Sequence, residues 1–221
     1  MIKAFIFDVG GTLVKTDYAL LEALRLALQE NGITFTNQQE VVNVFGQGQW
    51  MNVRTAVSGS YHGTDAEEKT KLCFASFQRI FPQQVMESFV VLPHVHESLN
   101  FLKRQGAKLV VLTGFDQRET DFFLKQMQLW EYFDVVLSAE DIVHHRPHPR
   151  GLLLAIEKLG LQKEECLYVG DAWVDVQFAH NAGVTVACVK TGAQDNTLLE
   201  KEKPDYLVED FRELMKVLQQ I

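Results

Sequence analysis

Phe5-Ile6-Phe7-Asp8-Val9-Gly10-Gly11-Thr12-Leu13 is apolar for three residues, stops on a carboxylate and then turns on two glycines. A continuous apolar run, rather than an alternating one, reads as a strand covered on both faces, as in a parallel sheet. In open sheets of that kind ligands bind beyond the carboxyl ends of the strands, which is where Asp8 falls. Gly10 and Gly11 permit a tight turn that brings backbone N–H groups close to an anion, and Thr12 can fix the loop. Spacing alone leaves two roles open for Asp8, a working carboxylate or the cap of a loop.

The same pattern recurs downstream. Lys108 to Leu112, Asp134 to Leu137, Cys166 to Val169 and Thr185 to Val189 are short apolar runs ending in small or polar residues. Between them lie helical patterns: Val95, Leu99 and Leu102 before Gly106, then Thr120 to Met127, then Gly151 to Leu159 closing at Gly160. Strand, helix, strand at this spacing predicts right-handed βαβ units and a doubly wound parallel α/β sheet. The stretch from Thr16 to Met86 breaks the rhythm. It holds no convincing strand, and Tyr18 to Leu28 and Ala66 to Phe77 have helical periodicity. A core of residues 1–15 and 87–221, with residues 16–86 as a small helical cap inserted after the first strand, is therefore expected.

Composition narrows the function. The 221 residues are 47% hydrophobic and 23% charged, with a formal net charge of −8. Phosphate-backbone binding needs a basic stripe, and no basic run here exceeds Lys103-Arg104, so no nucleic-acid partner is expected. No run approaches the roughly 18 apolar residues of a membrane span, and Asp8 interrupts the N-terminal run early for a signal peptide, so a cytoplasmic location is expected. Cys73, Cys166 and Cys188 are odd in number and widely spaced, which suits buried thiols.

Three further strand ends complete a pattern. Thr113-Gly114 closes the second run, Arg146-Pro147-His148-Pro149 follows the third, and Val169-Gly170-Asp171-Ala172-Trp173-Val174-Asp175 closes the fourth. Together with the Asp-x-x-Gly-Thr of the first strand, these resemble, in order, the four motifs of the haloacid-dehalogenase-like hydrolases. The resemblance covers the core from Lys3 to about Val189. It implies a Rossmann-like core and a nucleophile, Asp8, that forms an aspartyl-phosphate. It implies that Thr113 and the Gly114 N–H hold phosphate oxygens, although Thr113 could equally cap a helix, and that Arg146 pairs with the nucleophile and the phosphoryl group. It further implies a Mg²⁺ site made by Asp8, the Gly10 carbonyl and Asp171, with Asp175 just behind or acting through water.

One position departs from the pattern. Most phosphatases of this superfamily carry a second Asp two residues after the nucleophile, which protonates the leaving group and then activates water. Here that position is Gly10. Haloacid dehalogenases also lack this Asp, but they lack the metal pair as well, whereas Asp171 and Asp175 are present. Phosphonoacetaldehyde hydrolase (phosphonatase) lacks it too, and its TGYTRE and RPxP segments are similar to Thr113–Glu119 and Arg146–Pro149. That enzyme needs a cap lysine for a Schiff base, and no lysine occurs from Thr16 to Glu68; Lys15 only borders the site.

The expectation is a Mg²⁺-dependent phosphohydrolase for a small soluble phosphate or phosphonate. Phosphonatase-type C–P cleavage and a non-hydrolytic phosphate binder are the alternatives. In the cap, Trp50 is read as either a pocket wall or a buried packing residue, and Arg54 as a contact for a substrate anion. His144, His145 and His148, around Arg146, read as solvated loop residues, with one of them open to proton transfer.

Overall fold

The computed structural model describes residues 1–142 and 144–219. Strand β1 is Ala4–Phe7, and β2 is the two-residue Val14–Lys15. Four helices follow: α1 Asp17–Glu30, α2 Gln38–Val42, α3 Gln49–Ser60 and α4 Ala66–Ser88. Then come β3 Val90–Val91, α5 Val95–Arg104, β4 Lys108–Leu112, α6 Gln117–Gln126 and β5 Val135–Leu137. The chain finishes with α7 Arg150–Leu159, β6 Cys166–Gly170, α8 Trp173–Ala182, β7 Thr185–Val189, α9 Asn196–Lys201, β8 Tyr206–Val208 and α10 Phe211–Leu218.

Six strands form one sheet in the order β5-β4-β1-β6-β7-β8, every pair parallel. The period-2 pleat divides the apolar strands between two cores. Phe5, Phe7, Leu109, Val111, Leu167 and Val169 face one side, with Leu99 of α5, Phe123 of α6 and Phe211 of α10. Ala4, Ile6, Val110, Leu112 and Tyr168 face the other, under Leu152 of α7 and Phe178 of α8. Burial on both faces explains why these runs lack alternation. The chain winds outward from β1 through β4 to β5 and then crosses back to β6 on the other side of β1, so Asp8 sits at the switch point of the sheet.

The sequence reading missed several elements. The sixth strand, β8, is only three residues long. The antiparallel ribbon of β2 and β3 pairs Val14 with Val91 and Lys15 with Val90, two residues from each strand. Such short runs carry no readable period. Helix α4 runs on to Ser88 past an internal Pro82, and α3 occupies a segment with too few apolar residues to show a helical stripe. The three cysteines are free and buried. Among the described residues no helix is long and apolar enough to cross a membrane.

Candidate active site

Three adjacent parallel strands deliver the site. Asp8 follows β1, whose ladder continues through the Asp8 N–H to the Val169 carbonyl at 2.9 Å. Thr113 leaves β4 on one side and Asp171 leaves β6 on the other. Asp8, Gly10, Gly11, Thr113, Gly114, Arg146 and Asp171 line one cavity at the carboxyl edge of the sheet.

Arg146 organises the floor. Its Nη2 donates to Asp8 Oδ1 at 2.6 Å, while Nη1 donates to Asp175 Oδ1 and, at 3.1 Å, to the Tyr168 hydroxyl. The hydroxyl in turn donates to Asp175 Oδ1 at 2.9 Å. Asp175 Oδ2 accepts the N–H groups of Asp171, at 3.1 Å, and Ala172, at 3.0 Å. Both Asp175 oxygens are thus engaged within the protein, which places this fully buried residue behind Asp171 rather than in the cavity. Tyr168 was not singled out in the sequence, although a phenol inside the apolar run Cys166–Val169 was a visible signal.

Glycine makes the close approaches possible. Gly11 has φ of +77°, and a β-carbon there would lie 2.2 Å from Asp171 Oδ2. A β-carbon on Gly192 would lie 2.1 Å from the same oxygen. Thr12 donates to Asp171 Oδ1 at 2.7 Å, and the Thr191 hydroxyl ties down the Gly11 carbonyl at 2.6 Å. Thr12 therefore fixes Asp171 from beneath. Thr113 does not cap α6, because Asp116 does so in a capping box with Glu119. The Thr113 oxygen accepts only a long 3.3 Å bond from the Phe115 N–H within the protein.

The electrostatics lack positive charge. Asp8, Asp171 and Asp175 each bring an oxygen within 4.8 Å of the others. With the guanidinium of Arg146 as the buried cation among them, these three carboxylates would carry two uncompensated negative charges if all were ionised. Burial pushes the Asp8 carboxyl up to about 6 in spite of Arg146. Burial, with Asp175 and Asp8 adding repulsion, holds Asp171 well above the usual carboxylate range. An all-oxygen donor set short of two positive charges fits a hard divalent cation.

The roof comes from the segment between α2 and α3 and from the first turn of α3. Gly46, Gly48, Gln49 and Asn52 line the cavity from that side. Trp50, for which a pocket wall or a packing role was open, and Arg54, expected to contact a substrate anion, do not line it. Helix α3 turns about 100° per residue, so 49 and 52 share a face while 50 and 54 point elsewhere. Trp50 packs edge-on to Phe74 at 5.1 Å and is 39% exposed, and Arg54 is exposed. Roof and floor are joined by Gln49 Nε2 to Glu119 Oε2 at 2.9 Å, Trp173 Nε1 to the Asn43 carbonyl at 2.9 Å, and the buried Gln194, whose amide reaches the carbonyls of Val42, Asn43 and Phe45. None of these linking residues showed a signal in the sequence. His144, His145 and His148 are exposed and do not line the cavity.

The chain is similar to known proteins over almost its whole length. The chain is 27% identical to the pyrophosphatase PpaX of Bacillus mycoides, covering 100% of this chain and 98% of that one. It is 27% identical to the phosphoglycolate phosphatase of Salmonella typhimurium, covering 98% and 92%. The crystal structure of a predicted phosphoglycolate phosphatase from Haemophilus somnus superposes with a TM-score of 0.90 at 26% identity, covering 98% of each chain. The family profile described as haloacid dehalogenase-like hydrolase matches residues 5–189, a span that runs from β1 through β7 and contains every strand end in the cavity. The chain belongs to the haloacid dehalogenase-like hydrolase family.

Proposed function

We propose that the chain is a phosphatase for small phosphorylated metabolites and that Asp8 takes the phosphoryl group. The observation that carries this reading is the Arg146 bridge, in which one guanidinium grips Asp8 and Asp175 together at the switch point of the sheet. It fixes the Asp8 carboxylate and leaves a charge-assisted donor beside the incoming phosphate. The phosphatase names of the relatives support the same reading.

Each residue then has a task. Asp8 attacks phosphorus in line, and Thr113 and the Gly114 N–H hold equatorial oxygens. Gly11 and Thr12 shape the loop that brings Asp171 close. Asp8, the Gly10 carbonyl and Asp171 would hold Mg²⁺, with Asp175 orienting the Asp171 backbone; bound there, the ion supplies the positive charge the floor lacks. Residues 16–86 act as the cap, excluding water and selecting the leaving group through Gln49 and Asn52. Phosphonatase chemistry is not favoured: the cap offers no lysine to the cavity, where the exposed Lys15 is the sole lysine among the described lining residues.

The test is Mg²⁺-dependent release of phosphate from p-nitrophenyl phosphate and a panel of small phosphomonoesters. Turnover that a chelator removes, and that Asp8→Asn abolishes, is expected. No turnover over the whole panel, with phosphate still bound, would leave a non-hydrolytic binder instead.

A further inference from the structure

Gly10 cannot move a proton, yet a phosphomonoester with a poor leaving group needs one delivered. We propose that Asp17 is the proton carrier of this site. The inference rests on the phosphatase reading above.

Three observations lead to Asp17. The first is elimination within the cavity. Its described lining contains five ionisable side chains: Asp8, Lys15, Asp17, Arg146 and Asp171. Arg146 does not release its proton, Asp8 is the nucleophile, and Asp171 is held by Thr12 beside the expected metal position. That leaves Lys15, which is exposed at the mouth, and Asp17, which is half-buried.

The second observation is an unpaired atom. Asp17 Oδ1 is buried and has no hydrogen-bond partner. Only three side-chain polar atoms among the described residues share this state, and a second, Asn52 Oδ1, belongs to another residue lining the same cavity. A buried polar group left unpaired costs about 1–3 kcal/mol, so its persistence calls for a use.

The third is position. A β-carbon on Gly10 would point at Thr16 Oγ1, 2.9 Å away, with the Phe115 ring at 3.6 Å. The space an acid at position 10 would use is thus bordered by Thr16, and the next residue in the chain is Asp17. The end of β2 and the first turn of α1 thus place Asp17 in the lining of the same cavity as Gly10.

The chemistry balances without further reagents. In the first half-reaction an Asp8 oxygen bonds to phosphorus, the bond from phosphorus to the leaving oxygen breaks, and protonated Asp17 gives its proton to that oxygen, releasing an alcohol. In the second, the Asp17 carboxylate takes a proton from water as the water oxygen attacks phosphorus. Phosphate leaves, Asp8 is restored, and Asp17 is again protonated.

The competing role for Asp17 is structural, since an acid in the first turn of α1 favours the helix dipole. Leaving-group dependence separates the two. For Asp17→Asn, kcat/KM should fall about 10²–10⁴-fold with glycerol phosphate, and at least tenfold less with p-nitrophenyl phosphate, whose leaving group needs no proton. The aryl substrate should also give a burst of p-nitrophenol of about one per chain, because the aspartyl-phosphate then waits for water. An equal loss on both substrates, or a leaving-group-dependent loss in Lys15→Met instead, overturns the proposal while leaving the phosphatase reading intact. If the unmodified protein shows no Asp8-dependent turnover of either substrate, both readings fall.

Discussion

The floor and the roof of the cavity are built on opposite terms. The floor is a tightly bonded polar network: both terminal nitrogens of Arg146 donate within it, both Asp175 oxygens are engaged, and Thr12 secures Asp171. The roof carries the unpaired Asn52 oxygen and two glycines with φ of +88° and +102°. A satisfied network costs stability wherever it is cut, whereas an unsatisfied group costs stability by being there. Within one cavity, then, the carboxylates and Arg146 are held by dense bonding, and the roof is left with bonding capacity to spare.

That contrast can be broken by four measurements. The largest effect is expected from Asp8→Asn, which removes the nucleophile in a near-isosteric way: turnover should drop by on the order of 10⁴ or more, measured with p-nitrophenyl phosphate at saturating Mg²⁺. Next is Arg146→Ala. Removing one partner of a buried ionic network strands the others, so unfolding in denaturant should show a loss of about 3–5 kcal/mol. An unchanged midpoint would mean that the floor is not the tightly bonded network described.

The third measurement concerns the latch between the two regions. Burial, with repulsion from Asp116, pushes the Glu119 carboxyl up to about 7. A folded-state value raised above the unfolded one makes the stabilisation complete below about pH 4.5 and progressively lost as pH rises through 7. Glu119→Gln should flatten that slope, by up to about 3 kcal/mol between the two ends, in denaturant midpoints taken from pH 5 to 8. A slope as steep in the variant as in the parent would exclude Glu119 as its source. The smallest effect is expected at the roof. Asn52→Leu removes the unpaired amide oxygen and should raise stability by about 1 kcal/mol, while KM rises several-fold. A stability loss instead would show that Asn52 is satisfied, and the contrast with the floor would go.

The same division governs what could be read from sequence. Asp8, Thr113 and Asp171 each sit where an apolar run stops, and a run buried on both faces of a parallel sheet is conspicuous at four or five residues; Arg146 was legible through the Arg-Pro-x-Pro that follows the third run. Asp175 was legible through its spacing from Asp171. The roof offered no such marks. Helix α3 buries Val53, Ala56 and Val57, with Trp50 and Met51 as further apolar residues scattered among polar ones, so its facing could not be judged; of the two roles open to Trp50 it takes the packing one, and Gln49 and Asn52 line the cavity. Asp17 was hidden for a different reason. An acid at the start of a helix is ordinary, and only the fold shows that this one lines the cavity. Gln194 and Trp173 reach backbone carbonyls, and a bond to a carbonyl leaves no trace in the residue type of the acceptor.

The β2–β3 ribbon has a mechanical meaning. The chain leaves the sheet through Val14–Lys15 and returns through Val90–Val91, and the two crossings are bonded to each other. Two separate tethers would let the helices α1 to α4 swing, twist and slide against the sheet. Two strands stitched side by side behave as a single leaf spring, which bends readily about one axis and resists the rest. Asp17 stands two residues beyond this ribbon, at the first residue of α1, so a bend of the ribbon carries Asp17 along with the helix it begins.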